Sequence, residues 1–406
     1  MKAGSIKKYL LLVLLLAIAA VVASGLSIGK RRHPASAVKD SDQSVTTDSA
    51  FIVSEMKDCY TKGAPQCYQD AAAHFMEKFN LVKVLALLKS NEQQPEVFSR
   101  CHEVTHYLGR LEYQKTKSVP QVFSECDSTC HGGCYHGVIE EYFKESGDGT
   151  IGLSDVDISN KIRTVCGKQE TYAAPRIYSE CVHGIGHAMM YINNQEVPQS
   201  LNFCDSLSTQ SDRETCYGGV FMENSSSSTN LDHPTQYLKA DDPLYPCDVL
   251  ESRYLKICYE YQSSYFAELS TWDWNKTAQL CLRVPADYQA GCFNIIGSNQ
   301  VGYTEDQAVM KNDCYLMPTS DFVSNCVAGV ISAFGGRYVG DMGKMVSFCS
   351  LLAETEKQSC YNSIGNVVES WSTDPTYQKH HCEEIENDQY ASWCENPVSQ
   401  QQILTN

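Results

Sequence analysis

Five cysteines in the C-terminal half recur at one interval: Cys258, Cys292, Cys326, Cys360 and Cys394 stand 34 residues apart. A second series, Cys247, Cys281, Cys314, Cys349 and Cys382, runs eleven or twelve residues ahead of it. A fixed period of this length belongs to stacked helical hairpins, and the paired register closes each hairpin with its own disulfide. The pattern continues less regularly towards the N-terminus, with Cys204 near Cys216, Cys166 near Cys181 and Cys59 near Cys67. Four cysteines remain, Cys101, Cys126, Cys130 and Cys134. Cys126 and Cys134 repeat the spacing of Cys59 and Cys67, which would leave Cys101 to join Cys130. Sequence alone leaves this connectivity open.

Twenty cysteines arranged to pair point to an oxidising compartment. The N-terminus offers a route to one. Lys2, Lys7 and Lys8 precede an apolar or small stretch from Tyr9 to Gly29, followed by Lys30, Arg31 and Arg32. About twenty such residues span a bilayer. The stretch exceeds the usual apolar core of a cleaved signal, so residues 1–32 are expected to form an uncleaved signal anchor. The alternative is cleavage at Ala35-Ser36-Ala37 and secretion. Residues 33–54, rich in Ser, Thr, Asp and Val, read as a flexible tether. Residues 55–400 read as one elongated stack of repeats, and 401–406 as a tail. The net charge of −17 argues against nucleic acid as a partner. The expected contact with membrane is the anchor itself. Asn224-Ser225-Ser226 and Asn275-Lys276-Thr277 fit the glycosylation sequon.

The segment Thr304–Tyr338 shows the unit. Glu305–Met317 has helical composition, and Pro318-Thr319-Ser320-Asp321 is a stop followed by an N-cap signal. Phe322, Val323, Cys326, Val327, Val330, Ile331 and Phe334 then follow at spacings of three and four, an amphipathic helix ending at Gly335-Gly336. The next unit repeats this over 342–352 and 359–371. An aromatic often follows the second cysteine (Tyr68, Tyr135, Tyr217, Tyr259, Phe293, Tyr361), as expected for packing between hairpins. Gly137, Gly184, Gly219 and Gly329 stand three residues after that cysteine, where helices are expected to approach closely.

In repeat length, paired cysteines and hairpin plan, the chain resembles the Sel1-like and tetratricopeptide families, particularly secreted cysteine-rich Sel1-type proteins. The Ala/Gly/Leu signature of those repeats is absent, and most cysteine spacings here are wider. The fold expected is all-α: a right-handed solenoid of about ten disulfide-closed hairpins. The resemblance implies a concave face that binds a peptide or protein.

Six of the eleven histidines fall between His102 and His187, each beside a cysteine that opens or precedes the second helix of a hairpin. Counted from that cysteine, His136 and His183 both stand two residues on, His106 five, and Glu140 and His187 six. Glu141 and Glu223 share the seventh place. Equivalent positions of neighbouring repeats stack. His102 with His106, and His183 with His187, are also four apart on one helical face. Imidazoles with carboxylates to balance charge are what zinc, iron or copper require, zinc first among them. The expected metal ligands are therefore His102, His106, His131, His136, His183 and His187. The later repeats, built on the same frame, lack these residues, so the cluster reads as a site grafted onto the fold. Any single histidine could instead cap a helix or satisfy a buried polar group.

His102-Glu103-Val104-Thr105-His106 resembles the short zincin pattern, in which two histidines hold zinc and the glutamate is the base. Gly109 and Glu112 stand where a metzincin-type motif has its glycine and third ligand, with Glu112 departing from the usual residue. Cys126-Asp127-Ser128-Thr129-Cys130-His131 resembles a lengthened c-type haem attachment sequence, which would consume two cysteines that otherwise pair. If the chain is an enzyme, a metal would activate water and Glu103, Glu140 or Glu141 would move the proton, or iron or copper would support redox chemistry. The competing expectation is a non-catalytic scaffold that holds a protein, peptide or glycan on its concave face.

Overall fold

The computed structural model describes residues 36–146, 154–226 and 234–397. Among these are twenty α-helices, three 3₁₀ turns and no strand. The chain divides into two units at Ala50/Phe51. The apolar segment expected to be an anchor lies outside the described residues. Among the described residues, no helix is long and apolar enough to cross a membrane. The segment expected to be a tether is helical from its fourth residue, since one helix spans Ser36–Lys62. Tether-like composition did not prevent helix formation there.

All ten expected disulfides are present, including Cys101–Cys130 and Cys126–Cys134, and no cysteine is free. Both cysteines of the haem-type sequence are therefore already bonded. Ten disulfides fit an oxidising, extracytoplasmic compartment.

From Cys101 onward the second helices of the hairpins are α1 (Cys101–Thr116), α2 (Gly133–Ser146), α3 (Pro175–Ile192), α4 (Gln210–Ser226), α5 (Ser252–Leu269), α6 (Ala286–Tyr303), α7 (Ser320–Arg337), α8 (Glu354–Glu369) and α9 (Asp388–Glu395). Each packs on the next. Short first helices precede them, and boundaries are set by caps. In the unit read above, the first helix is Gln307–Cys314, begun by the Asp306 carboxylate accepting from the Ala308 and Val309 N–H groups. Thr319 caps α7 by accepting from the Phe322 N–H, and α7 then runs through Gly335-Gly336 to Arg337. These glycines do not end the helix: Gly335 lies where α7 presses on Val367 of α8.

The aromatic residues that follow the second cysteine are all buried, as expected for packing between hairpins. The glycines explain how the long helices meet. A Cβ on Gly137 would run into the His106 carbonyl oxygen, and one on Gly109 into the Cys134 carbonyl oxygen, so α1 and α2 cross backbone to backbone. Gly186 and Gly219 do the same for α3 and α4, and Gly297 and Gly329 for α6 and α7. Gly184 is looser, its would-be Cβ 3.3 Å from Ile139 Cγ1 and 3.4 Å from His136 Cα.

The elongated shape expected from the period is not observed. Glu92 and Arg337, 245 residues apart, form a buried ion pair at 3.3 Å. The Arg176 N–H donates to the Ser370 carbonyl at 3.3 Å. The stack therefore curls back until α7 and α8 touch the early repeats. Of the two sequons, Asn224 is 1% exposed and accepts from the Thr235 hydroxyl, whereas Asn275 is exposed.

Adding a methyl group at a glycine crossing should therefore overpack it. Gly329→Ala is expected to destabilise by about 1–3 kcal/mol. Gly336→Ala, which meets nothing within 4 Å, should be neutral or stabilise by up to about 1 kcal/mol. Thermal unfolding of the two variants in the same buffer separates them.

Candidate metal centre

The first four long helices carry the histidine cluster, and each is tied by a disulfide, in the first turn of α1 and α2 and in the second turn of α3 and α4. Cys101 opens α1 and is bonded to Cys130, in the 3₁₀ turn Thr129–Gly132. Cys130, His131 and Gly132 in this turn all have left-handed backbone, at φ of 52°, 59° and 75°. That is an unfavourable conformation for the first two. It aims the Cys130 carbonyl at α1, where it accepts from His102 Nδ1 at 2.8 Å. Gly132 is required for space as well, since a Cβ there would sit 2.9 Å from Glu180 Oε2.

Four imidazoles then converge. His136 and His187 stack with ring centroids 4.5 Å apart. His102 and His106 lie 4.6 Å apart, and His106 is 5.3 Å from His136 and 5.4 Å from His187. Each ring is anchored through one nitrogen. His102 Nδ1 donates to the Cys130 carbonyl, His106 Nδ1 to Glu140 Oε1 at 2.9 Å, and His187 Nδ1 to Glu223 Oε2 at 2.8 Å. His136 is anchored the other way round, through Nε2 to Glu180 Oε2 at 3.2 Å.

A neutral imidazole has one N–H, so anchoring one nitrogen leaves a bare lone pair on the other. Those lone pairs belong to His102 Nε2, His106 Nε2, His187 Nε2 and His136 Nδ1. The last two are buried with no hydrogen-bond partner. The first two face each other at 3.1 Å. Two lone pairs that close repel unless a proton or a metal ion lies between them. Ligands at 2.0–2.1 Å from a tetrahedral ion stand about 3.3 Å from one another, close to this separation. The donor atoms of His102, His136 and His187 lie within 4.8 Å of one another, as do those of His106, Glu140 and His187. Orienting each ligand ring through its far nitrogen is how metal sites fix tautomer and direction.

The remaining expected residues are placed as follows. Glu140 anchors His106 through one oxygen and receives Arg110 Nε at 2.8 Å and Nη2 at 2.6 Å on the other. Glu103 is engaged by Arg100 at 2.9 Å and by the Tyr107 hydroxyl at 3.1 Å. Glu141 accepts from Gln114 at 2.8 Å, on a different face from Glu140. His183 adjoins the cluster, 5.0 Å from His187 between ring centroids, but its Nε2 faces Met222 Sδ at 3.3 Å. His131 is exposed and belongs to neither donor group. Gly109 serves a helix crossing, and Glu112 pairs with Lys115 at 3.2 Å rather than joining the site. His233 lies outside the described residues, and His74 pairs with Glu55.

Glu180, Arg110 and Arg176 were not foreseen from the sequence. Arg176 Nη1 holds the second oxygen of Glu180 at 3.0 Å. Glu180 immediately precedes Cys181, outside the register that singled out the other residues. A cavity of about 140 Å³ reaches the cluster on its His102 and His106 side, lined also by Arg100, Glu103, Tyr107 and Arg110.

Comparison of the chain with protein-family models, curated proteins and solved structures finds no match. The geometry therefore carries the functional argument alone. What it supports is a disulfide-rich helical protein with a His/Glu group able to hold a metal ion.

Burial, with neighbouring imidazoles adding to it, holds His102 and His183 well below the ordinary histidine range and His136 at about 4. Burial pushes the Glu140 carboxyl up, but Arg110 and His106 outweigh it and keep it well below the usual carboxylate range. An unfolded histidine takes its proton near 6.5, whereas folded His136 resists until about 4. Between those values the unfolded chain binds more protons, so stability falls as pH falls through this window. Metal-free protein should lose on the order of 1–3 kcal/mol from His136 alone by pH 4. Melting temperature against pH checks this, and His136→Gln should flatten the slope.

Proposed function

We propose that this chain is a metal-dependent enzyme of an oxidising compartment. Its centre is a transition-metal ion held by His102, His106, His136 and His187 and reached from the cavity beside His102. The observation that carries the reading is the set of four anchored rings, with donor atoms of His102, His136 and His187 within 4.8 Å of one another and two free nitrogens, His136 Nδ1 and His187 Nε2, buried without a partner. A purely structural histidine cluster would have no reason to bury two acceptors without partners.

An all-imidazole donor set suits zinc, copper or iron. With neutral ligands the ion keeps its full charge, and zinc bound by three of these rings, as the grouping of His102, His136 and His187 allows, would leave a fourth position for water and lower its pKa to about 7. Glu140 and Glu223 are occupied as ring anchors. Of the three carboxylates expected to move protons, only Glu103 lines the cavity, which makes it our choice of base. The apolar segment Tyr9–Gly29 would tether the enzyme to a membrane with its body outside, and the stacked repeats would follow a right-handed path. The scaffold alternative, with a protein, peptide or glycan on the concave face, has less support, because the curled stack brings distant repeats into contact.

Elemental analysis of the non-reduced protein should find a transition metal at about one ion per chain. His136→Ala/His187→Ala should abolish it, and Glu140→Gln should weaken binding by about 10–100-fold by freeing the His106 ring. Protein that contains no metal and takes none up on reconstitution would leave the scaffold as the better account. Glu103→Gln should keep the metal while slowing hydrolysis of an activated ester. Loss of metal in that variant would remove Glu103 from the role of base.

A further inference from the structure

His183 occupies the same place in its repeat as His136, two residues after the cysteine, yet its free nitrogen does not join the four-imidazole set. It faces a thioether, with His183 Nε2 and Met222 Sδ 3.3 Å apart. Met222 stands six residues after Cys216, the place held by Glu140 and His187 in the two preceding repeats. Three consecutive repeats therefore present a carboxylate, an imidazole and a thioether from the same position towards the same region.

With its one N–H on Nδ1, a neutral His183 ring turns a lone pair towards Met222. A thioether has no proton to offer either. Two donors of electron density in contact, one nitrogen and one soft sulfur, are complementary to a soft cation. With metal–nitrogen and metal–sulfur bonds of about 2.0 and 2.3 Å, a separation of 3.3 Å corresponds to an angle at the ion of roughly 100°. That is an ordinary coordination angle. The His136 ring, whose Nδ1 is buried and unpartnered, is 5.1 Å away between centroids and is a nearby further donor.

We infer that His183 Nε2 and Met222 Sδ form a second, softer metal position beside the imidazole cluster, taking copper(I). Thioether and imidazole together select this ion over zinc or magnesium, which favour harder donors. Neither donor belongs to the four-imidazole set, so this position stands or falls separately from the function proposed above.

The test uses the full chain, metal-free and with disulfides intact. Copper(I), supplied anaerobically as its acetonitrile complex, is titrated against a chromogenic chelator, and the loaded protein is examined by X-ray absorption at the copper edge. Wild type should bind copper(I) with a sulfur neighbour. Met222→Leu, close in volume to the native residue, should lose that neighbour and bind at least about tenfold more weakly. Its cobalt(II) uptake at the imidazole cluster should be unchanged. His183→Gln should behave like Met222→Leu. A wild-type copper shell of nitrogen alone, equal affinity in Met222→Leu, or no copper(I) uptake would each overturn the inference. If cobalt(II) still binds in those cases, the four-imidazole centre survives. If neither metal binds, both fall.

Discussion

Backbone contact at paired glycines is the constraint on which the site rests. Gly109 and Gly137 let α1 and α2 cross with each glycine against the other helix's carbonyl, and Gly186 with Gly219 repeats this for α3 and α4. Any larger residue at these crossings would push the axes apart. Rings that are now about 5 Å apart would then lose their common focus. The disulfides complete the constraint. Each ties a long helix to a neighbouring segment, at the first or second residue in α1 and α2 and at the seventh in α3 to α9, which fixes how far along its neighbour that helix sits. Separation comes from the glycines and height from the cysteines, so side chains at set distances from the cysteine are brought to one place.

Charge then decides which state the cluster can adopt. Four rings packed this tightly cannot all be protonated, and burial drives His102 and His136 towards neutrality. Around them stand Glu140, Glu180 and Glu223, the first two each also held by an arginine. A neutral core inside a ring of carboxylates is short of positive charge at its centre. A divalent ion would supply it, and the anchoring hydrogen bonds would raise the basicity of the nitrogens that receive it. The same carboxylates lose their freedom by serving as anchors, which is why Glu140 cannot also be a free base.

Much of this was legible in the sequence because the repeat converts spacing into position. The cysteine register gave the disulfides, and the glycine three places on gave three of the close crossings. Place two and place six brought His136 and His187 together. The register does not reveal where a side chain turns after its Cβ. Glu103 follows His102 directly, yet Arg100 and Tyr107 take its carboxylate. His131 follows Cys130 directly but sits in a left-handed turn that leaves it exposed. Contacts between distant repeats leave no periodic trace, so the Glu92–Arg337 pair and the curling of the stack could not be read. Met222 holds place six as well, where spacing alone does not distinguish a thioether ligand from core packing.

The later repeats show that the frame is indifferent to what this position carries. At place six they have Ser264, Ser298, Ser332 and Asn366. Two of these bond to the next helix: Ser298 donates to the Gly329 carbonyl at 3.0 Å, and Ser264 bonds to Asn299 at 3.4 Å. A small polar residue is thus enough to stabilise the helix contact. Placing a buried imidazole there instead requires a dedicated carboxylate from the next helix, as His187 requires Glu223. An unpartnered nitrogen is still left over. Folding alone gives no reason to replace a small polar residue with that arrangement at His187. The arrangement makes physical sense only if something binds the leftover lone pairs.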